Sequence, residues 1–118
     1  MSKLIVEIAD TPATLAHGLM GRMDLPPDAG MLFKFNALTD AGFWGKNTYI
    51  PLDIAFVDQN NTITEIKPIV PMSTRQVRSA GYVMAIEANQ GFFAKNGIKP
   101  GHKIAVERDA GGKTAIIF

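Results

Sequence analysis

The segment from Phe43 to Asp53 concentrates side chains that could recognise a small molecule. It holds the only tryptophan of the chain, Trp44, together with Lys46 and Asn47. A rigid aromatic ring can cover an apolar ligand, an ammonium or amide group can donate hydrogen bonds, and a carboxylate can accept them or act as a base. These residue types therefore predict a small-ligand site, although they specify no reaction.

A structural role is the alternative for the same residues. Trp44 would then close one end of the fold, while Asn47 and Asp53 would brace their loop through hydrogen bonds to the backbone. Asn and Asp commonly do this in loops, so the structural role stays open beside the ligand site. The ligand site gains support if Asp53 is buried with Lys46 or Arg22 close to it, because a charge partner shifts the pKa of a carboxyl group.

Arg22 and Glu87 form a second candidate set. Arg22 follows the first predicted helix, Glu87 ends a predicted strand, and each could reach the segment around Trp44. A bidentate bridge between an arginine and a carboxylate would hold a small domain together, and a catalytic carboxylate is the alternative. Asp53 and Glu87 would also form a carboxylate pair of the kind that glycoside hydrolases use. The candidate ligand-binding residues are therefore Arg22, Trp44, Lys46, Asn47, Asp53 and Glu87.

Other site chemistries find little support in the sequence. The chain has no cysteine, which excludes disulfides, thiolate catalysis and cysteine–zinc sites. Its two histidines, His17 and His102, stand at no metal-ligand spacing, and its glycines form no phosphate-binding pattern. We therefore predict neither a metal nor a cofactor.

Composition limits the class of protein and its partners. A chain of 118 residues that is 47% apolar and 19% charged suits one packed domain over residues 1–118 and argues against disorder. A net charge of +1 gives no electrostatic reason to bind nucleic acid or an anionic membrane. Glu7 interrupts the short apolar run near the start, and no stretch is long enough for a membrane helix. We predict a soluble, cytoplasmic protein that is a monomer or a weak homodimer.

Short strands are the elements that must position the candidate residues. Apolar residues recur at every second position, the period of a strand, in segments 4–8, 31–35, 52–57, 62–69, 82–87, 104–106 and 114–118. Two short helices are predicted, one over residues 12–20 with Thr11 as its cap and one over residues 89–96. A turn-rich loop, residues 70–81, separates two of the strands and would roof the site.

The fold class that follows is α+β and β-rich, with a small antiparallel sheet, curled or closed into a barrel, and two short helices. Closely spaced strands joined by hairpin turns favour antiparallel pairing, and the helices do not alternate with strands as they would in a doubly wound parallel sheet. Strand 52–57 is apolar on both faces and is therefore expected in the interior of the sheet. The last strand, with Ile116 and Phe118, is expected to pair within the sheet.

Several short motifs follow one another between residues 5 and 107. They are Thr11-Pro12, Gly18-Leu19-Met20, Arg22, Leu25-Pro26, Gly30-Met31-Leu32-Phe33, Phe43-Trp44, Lys46-Asn47-Thr48, Ile50-Pro51-Leu52-Asp53-Ile54, Phe56, Tyr82, Ile86-Glu87, Gly91, Gly97-Ile98 and Gly101. In this order and at these spacings they resemble the uncharacterised family named domain of unknown function 192. The resemblance implies a compact β-rich domain with small helices, and it implies no activity, substrate or cofactor.

The chain departs from the family pattern at three places. Gly45 stands where the family usually has Met, Gly101-His102 stands where it usually has Gly-Asp, and the segment between Pro71 and Tyr82 is unlike the usual one. Gly45 removes an apolar side chain beside Trp44, which changes the expected shape of a pocket there. Many bacterial members resemble exported proteins with a leader segment, which is not predicted for this chain. Some relatives are similar to proteins of phages of marine bacteria, so a phage origin is one expectation.

The sequence leads to three hypotheses about function. We favour a non-enzymatic binding or accessory module that has a small-molecule or protein partner and a site around Trp44–Asp53. The first alternative is a small hydrolase-like enzyme in which Asp53 or Glu87 is the general base. The second is a structural or virion-associated protein, in the host cytoplasm if viral, that acts through an apolar surface patch or a symmetric contact.

Overall fold

Seven strands and two short helices form the structure, a computed structural model that describes residues 2–118. In chain order they are β1 (Lys3–Ala9), α1 (Pro12–His17), β2 (Ala29–Thr39), β3 (Leu52–Val57), β4 (Ile63–Ile69), β5 (Tyr82–Asn89), α2 (Phe92–Lys95), β6 (Ala105–Arg108) and β7 (Thr114–Ile117). The predicted α+β, β-rich fold with two short helices is confirmed. The largest difference in length is in β2, which continues past a bulge and pairs again with β5 at Thr39.

The seven strands belong to one sheet, in the order β4-β3-β5-β2-β1-β7-β6. β1 and β2 are parallel, with Ile5 opposite Ala29 and Ala9 opposite Phe33, whereas the other neighbouring pairs are antiparallel. The prediction of a wholly antiparallel sheet is therefore wrong. The connection through α1 is long enough to return the chain to the end of the sheet at which β1 began, so β2 runs in the same direction as β1.

The sheet is open, so the prediction of a barrel is also wrong. Its edge strands are β4 and β6, which are not paired with each other along their lengths. Within residues 2–118 they are linked only around residues 61–63 and 101–104, before β6 begins. The Ile63 N–H donates to the His102 carbonyl and the Ile104 N–H to the Asn61 carbonyl, each at 2.9 Å, and the Gly101 N–H donates to the Ile63 carbonyl at 2.7 Å. All four residues of β6 are exposed, so this strand adds little apolar surface that would draw the two edges together.

Alternating side chains give the sheet two apolar faces. In β3, Ile54 and Phe56 point to one face and Ala55 and Val57 to the other, and all four are fully buried. The predicted interior position of this strand is confirmed. We call the face that carries Ile54 the α1 face, because α1 packs on it, and the opposite face, on which α2 packs with Phe93, the α2 face.

The first helix begins as the sequence predicts. The Thr11 side chain caps it by accepting a hydrogen bond from the Thr14 N–H at 3.1 Å. It ends at His17, earlier than predicted, because Gly18 takes a positive φ of 51°. So short a helix is not stable alone, and Leu15 packs it against the α1 face. Within residues 2–118 neither helix has the length and apolar character needed to cross a membrane.

The final strand pairs within the sheet, as predicted. β7 lies between β1 and β6, and Ile116 is fully buried opposite Leu4. The Phe118 N–H donates to the Ser2 carbonyl at 3.0 Å. The last residues therefore belong to the core of the fold.

Candidate functional site

A cavity of about 520 Å³ opens on the α1 face of the sheet. It lies between α1, the strands β2, β3 and β5, and the connection from β2 to β3, which we call the Trp44 loop (residues 40–51). Its volume falls within the range of about 300 to 1,000 Å³ that small-molecule sites occupy. Most of its lining is apolar and includes Leu19, Phe33, Phe35, Phe43, Trp44 and Leu52.

Aromatic rings form one wall of the cavity. Phe43 packs edge-on against Phe33 with ring centroids 5.0 Å apart, and Phe35 packs edge-on against Tyr82 at 5.6 Å, which are favourable geometries for aromatic pairs. The Tyr82 hydroxyl donates a hydrogen bond to the Ala41 carbonyl, and burial raises the pKa of this hydroxyl to about 12. These contacts anchor the first half of the Trp44 loop to the sheet.

Glu87 places a carboxyl group on the floor of the cavity. It lies on β5 between Met31 of β2 and Ile54 of β3, and both of these neighbours are apolar. The residue is only 5% exposed, and within residues 2–118 no group donates a hydrogen bond or presents a positive charge to its carboxyl oxygens. Burial therefore raises the pKa of Glu87 to about 8, and the carboxyl group is mainly protonated at neutral pH.

The burial of Glu87 follows from the length of β5. The sequence predicts a strand that ends at this residue, but β5 continues to Asn89, so Glu87 lies inside the strand with a partner on each side. The Asn89 side chain holds the continuation in place, since its amide donates to the carbonyls of Leu25 and Pro26 at 2.9 and 3.1 Å.

Lys46 and Asn47 lie on the outer side of the Trp44 loop and do not line the cavity. The Lys46 ammonium lies 5.3 Å from the centroid of the Trp44 ring, in a cation–π contact. Asn47 is exposed and has a positive φ of 57°, and its carbonyl accepts a hydrogen bond from the Gly21 N–H at 2.8 Å. Asn47 thus joins the Trp44 loop to the chain after α1 through its backbone.

Asp53 points to the α2 face, away from the cavity, because its neighbours Leu52 and Ile54 occupy the α1 face. Its carboxylate accepts a hydrogen bond from the Gly91 N–H at 2.9 Å, which fixes the turn that leads into α2. Asp53 and Glu87 therefore do not form the carboxylate pair that the sequence raised as an alternative. They lie on neighbouring strands but on opposite faces of the sheet.

Arg22 pairs with Glu7 and not with Glu87. The guanidinium makes a bidentate contact with the Glu7 carboxylate, and one of its two hydrogen bonds measures 2.6 Å. This hydrogen bonding lowers the pKa of Glu7 and raises that of Arg22. The Glu7 side chain is 53% exposed and the Arg22 side chain 39% exposed, so solvent weakens this ion pair. The structural bridge exists, but its acidic partner is on β1.

The structure thus brings Trp44 and Glu87, alone among the six candidates, to one cavity. Trp44 is 37% exposed and lies at the rim. Sequence reasoning missed the residues of the wall, such as Phe33 and Phe35, because apolar residues of a strand usually signal only a core. Their spacing of two along β2 does place them on one face, but the sequence does not show that this face is partly uncovered.

The loop of residues 70–81 packs on the Trp44 loop. Phe43 and Val77 exchange two backbone hydrogen bonds, at 2.8 and 2.7 Å. Gln76 of the same loop lines the cavity. This loop therefore forms part of the cavity entrance.

Gly45 permits the closest approach of these two loops. Its N–H donates to the Ser73 carbonyl at 2.9 Å, and its carbonyl accepts from the Met72 N–H at 2.8 Å. A Cβ atom at this position would lie 1.8 Å from the Val70 carbonyl oxygen, so any side chain would collide with the backbone. The glycine at this position therefore admits the close approach of the 70–81 loop to the Trp44 loop.

We expect Gly45→Ala to destabilise the protein by about 2 to 3 kcal/mol, since it forces the 70–81 loop away from the Trp44 loop. Urea denaturation of the two proteins measures the change. Gly111→Ala is the matched control, because a Cβ there would meet only the Asp109 carboxylate at an ordinary 3.4 Å, and its stability should stay within about 1 kcal/mol of wild type. Equal effects of the two substitutions would contradict the steric explanation.

Metal chemistry has no assembled ligand set in the part of the chain that the structure describes. Residues 2–118 contain no group of three or more His, Asp or Glu side chains that could hold a metal ion.

Two solved structures are similar to this fold. One is from Sinorhizobium meliloti 1021 and is described as a "putative transcription regulator"; it is 37% identical, with a TM-score of 0.82, over 85% of this chain and 79% of that one. The other, a protein of unknown function from Novosphingobium aromaticivorans DSM 12444, is 39% identical, with a TM-score of 0.80, over 83% of this chain and 71% of that one. A phage origin finds no support in either comparison.

The comparison of the sequence with protein families gives the same result as its motifs. No curated protein matches the chain. The model of the family DUF192, described as "Uncharacterized ACR", matches residues 2–106. The match covers most of the chain, and the protein belongs to the DUF192 family.

Proposed function

We propose that the protein binds a compact, largely apolar small molecule in the cavity between α1, the Trp44 loop and the sheet. One observation carries the proposal: Glu87 on the cavity floor is only 5% exposed and receives no hydrogen bond from the protein within residues 2–118, so its carboxyl oxygens are left to the little solvent that reaches them through the cavity. Burying a carboxyl group without a partner costs free energy. A ligand that contacts Glu87 would supply the missing partner and offset this cost.

Several features favour binding over hydrolysis. Glu87 is mainly protonated at neutral pH, since its pKa is raised to about 8, so in most molecules its carboxyl group offers a hydrogen-bond donor to a ligand. Asp53, the other proposed base, lies on the α2 face and is occupied by the Gly91 N–H. Asp53 is thus outside the cavity, and within residues 2–118 no second carboxyl group lines it beside Glu87, so we favour a non-enzymatic module over the hydrolase-like alternative.

A protein partner on the outer surface of the Trp44 loop and the 70–81 loop is the second candidate. Tyr49, Val70 and Met72 are each at least half exposed and belong to the two loops that Gly45 joins. Large apolar side chains exposed close together favour a protein contact. Such a partner would contact these two loops without entering the cavity, since none of the three residues lines it.

Trp44 provides a direct test, because it is the only tryptophan and lines the cavity. We expect its fluorescence to change on titration with members of a library of small cyclic and aliphatic compounds. Ala16, which lines the cavity from α1, should become a block when enlarged, so Ala16→Phe should weaken binding at least tenfold. Ala13→Phe enlarges an exposed residue of the same helix that does not line the cavity and should bind as wild type does.

The outcomes separate the two candidates. If compounds bind equally well to Ala16→Phe and Ala13→Phe, binding is at the surface and the cavity proposal is wrong. If no compound changes the Trp44 fluorescence or the melting temperature, the small-ligand function is abandoned in favour of the protein partner.

A further inference from the structure

We infer that the cavity takes a cationic ligand, a primary or secondary amine on an apolar body, with its ammonium group against Glu87 and its body against Trp44 and the phenylalanine wall. This inference rests on the proposed function, because it names the class of molecule for the same cavity. It follows from the charges, the aromatic rings and the solvent exposure around Glu87.

The charge balance of the cavity is the first step. Within residues 2–118 Glu87 is the only acidic residue that lines it, and no Lys or Arg lines it. His17 also lines the cavity, but it lies on the exposed side of α1. Without a positive neighbour this buried carboxyl group holds its proton, and an ammonium group from outside would stabilise the ionised form by pairing with it.

The surrounding elements supply no positive charge that could take this place. β2 and β3 present Met31 and Ile54 to Glu87. One strand further along, Glu7 of β1 lies opposite Met31, and the nearby Arg22 is already paired with Glu7. The environment of Glu87 therefore favours a cation from outside the protein.

The titratable groups of the remaining elements are also engaged elsewhere. From β5 itself, the Tyr82 hydroxyl donates to the Ala41 carbonyl. In the Trp44 loop, the Lys46 ammonium lies over the Trp44 ring in a cation–π contact. In the 70–81 loop, the Arg78 guanidinium donates to the Asp40 carbonyl at 3.2 Å. None of these groups reaches the cavity floor.

The aromatic wall is the second step. The faces of aromatic rings attract cations, and the attraction grows when water is excluded. Trp44 already accepts one ammonium group, that of Lys46, at 5.3 Å. An organic cation with an apolar body would contact both the aromatic rings and the carboxylate. An anion would not pair with the carboxylate, and an inorganic cation has no apolar body to pack on the rings.

The competing ligand classes differ in the protonation state of Glu87 that each of them requires. An anion would need the protonated form of Glu87, because two negative charges would repel each other in a desolvated site, so its affinity would fall as pH rises. A neutral molecule with a carbonyl or hydroxyl acceptor would need the protonated form of Glu87, so its affinity would fall as pH rises. An ammonium group needs the ionised form, so its affinity should rise with pH until Glu87 is ionised.

The experiment compares cyclohexylmethylamine with cyclohexylmethanol, which has the same shape and no charge, by Trp44 fluorescence and calorimetry from pH 6 to pH 9. The amine stays protonated throughout, because alkylamines titrate near the lysine value of about 10.4. Since the pKa of Glu87 is about 8, the amine affinity should rise about tenfold per pH unit up to pH 8 and then level off. The alcohol affinity should not rise.

Variants assign the effect to Glu87. Glu87→Gln should weaken amine binding at pH 8 at least tenfold and abolish its pH dependence, while alcohol binding changes no more than about threefold. Glu107→Gln removes an exposed carboxylate on β6 and should keep the wild-type profile. The inference is overturned if the amine binds no better than the alcohol at pH 8, or if Glu87→Gln keeps the pH dependence.

The two proposals fail differently. If the alcohol binds and Ala16→Phe blocks it, but the amine has no advantage, the proposed function stands and the cationic ligand is rejected. If neither compound binds in a way that Ala16→Phe blocks, both proposals are rejected.

Discussion

The Glu87→Gln variant should lose most of the pH dependence that the wild-type protein shows between pH 5 and pH 8. Burial raises the pKa of Glu87 from its ordinary value of 4.5 to about 8 in the folded protein, so between these values the folded state holds a proton that the unfolded state has released. The contribution of Glu87 to stability is therefore highest below pH 4.5 and falls as pH rises to 8. The loss is about 1.4 kcal/mol per pH unit, with an upper limit of about 5 kcal/mol.

Urea denaturation at pH 5, 6.5 and 8 measures this dependence without any ligand. At pH 8 the Glu87→Gln variant should be the more stable protein by several kcal/mol, because it buries no charge. Glu107→Gln, in which the substituted residue is exposed on β6, should follow the wild-type curve. Parallel curves for wild type and Glu87→Gln would show that the carboxyl group has a partner or more water than its burial implies.

A protein that lacks residues 114–118 should fail to fold cooperatively. Within residues 2–118 β7 is the only strand that joins β6 to the sheet, and it is also one of the two neighbours of β1. Its loss would uncover Leu4, which like Ile116 is fully buried, together with a row of backbone hydrogen-bonding groups on β1. Small domains have a free energy of unfolding of only about 5 to 15 kcal/mol. Removing a whole interior strand should cost more free energy than this, so the shortened protein should not fold.

Circular dichroism on heating would show the loss as a melting curve without a transition. A graded variant keeps the test informative, since Ile116→Ala should cost about 2 to 5 kcal/mol and still fold. Ile117→Ala is the control, because Ile117 lies on the other face of β7 and is only half-buried, so it should cost less than half as much. A sharp transition in the truncated protein would refute the role assigned to β7.

Local patterns in the sequence were sufficient to predict the elements of the fold. Alternation identified each strand, and the apolar character of both faces of strand 52–57 correctly placed it inside the sheet. The order of the strands was not accessible in this way. The parallel pairing of β1 with β2, and the gap between β4 and β6, depend on contacts between distant segments that no local pattern encodes.

The candidate site, like the fold, could be predicted from local sequence only in part. Trp44 could be predicted as a site residue from its residue type alone. The burial of Glu87 could not, because it depends on Met31 and Ile54, which belong to two other strands. Asp53 could have been separated from Glu87 only by knowing the register of β3 and β5, because that register puts the two side chains on opposite faces.

The pairing of β1 with β7 has a consequence for the time at which the fold is completed. It joins Lys3 to Ile117, so the first strand to be synthesised must wait for the last strand before one of its two edges is covered. Closing so long a loop is entropically unfavourable and slows folding. During synthesis the β3–β4–β5 region can pair among its own strands, while the free edge of β1, with apolar Leu4 and Val6, stays open to other chains. The nascent chain is therefore most exposed to aggregation in the interval before β7 leaves the ribosome.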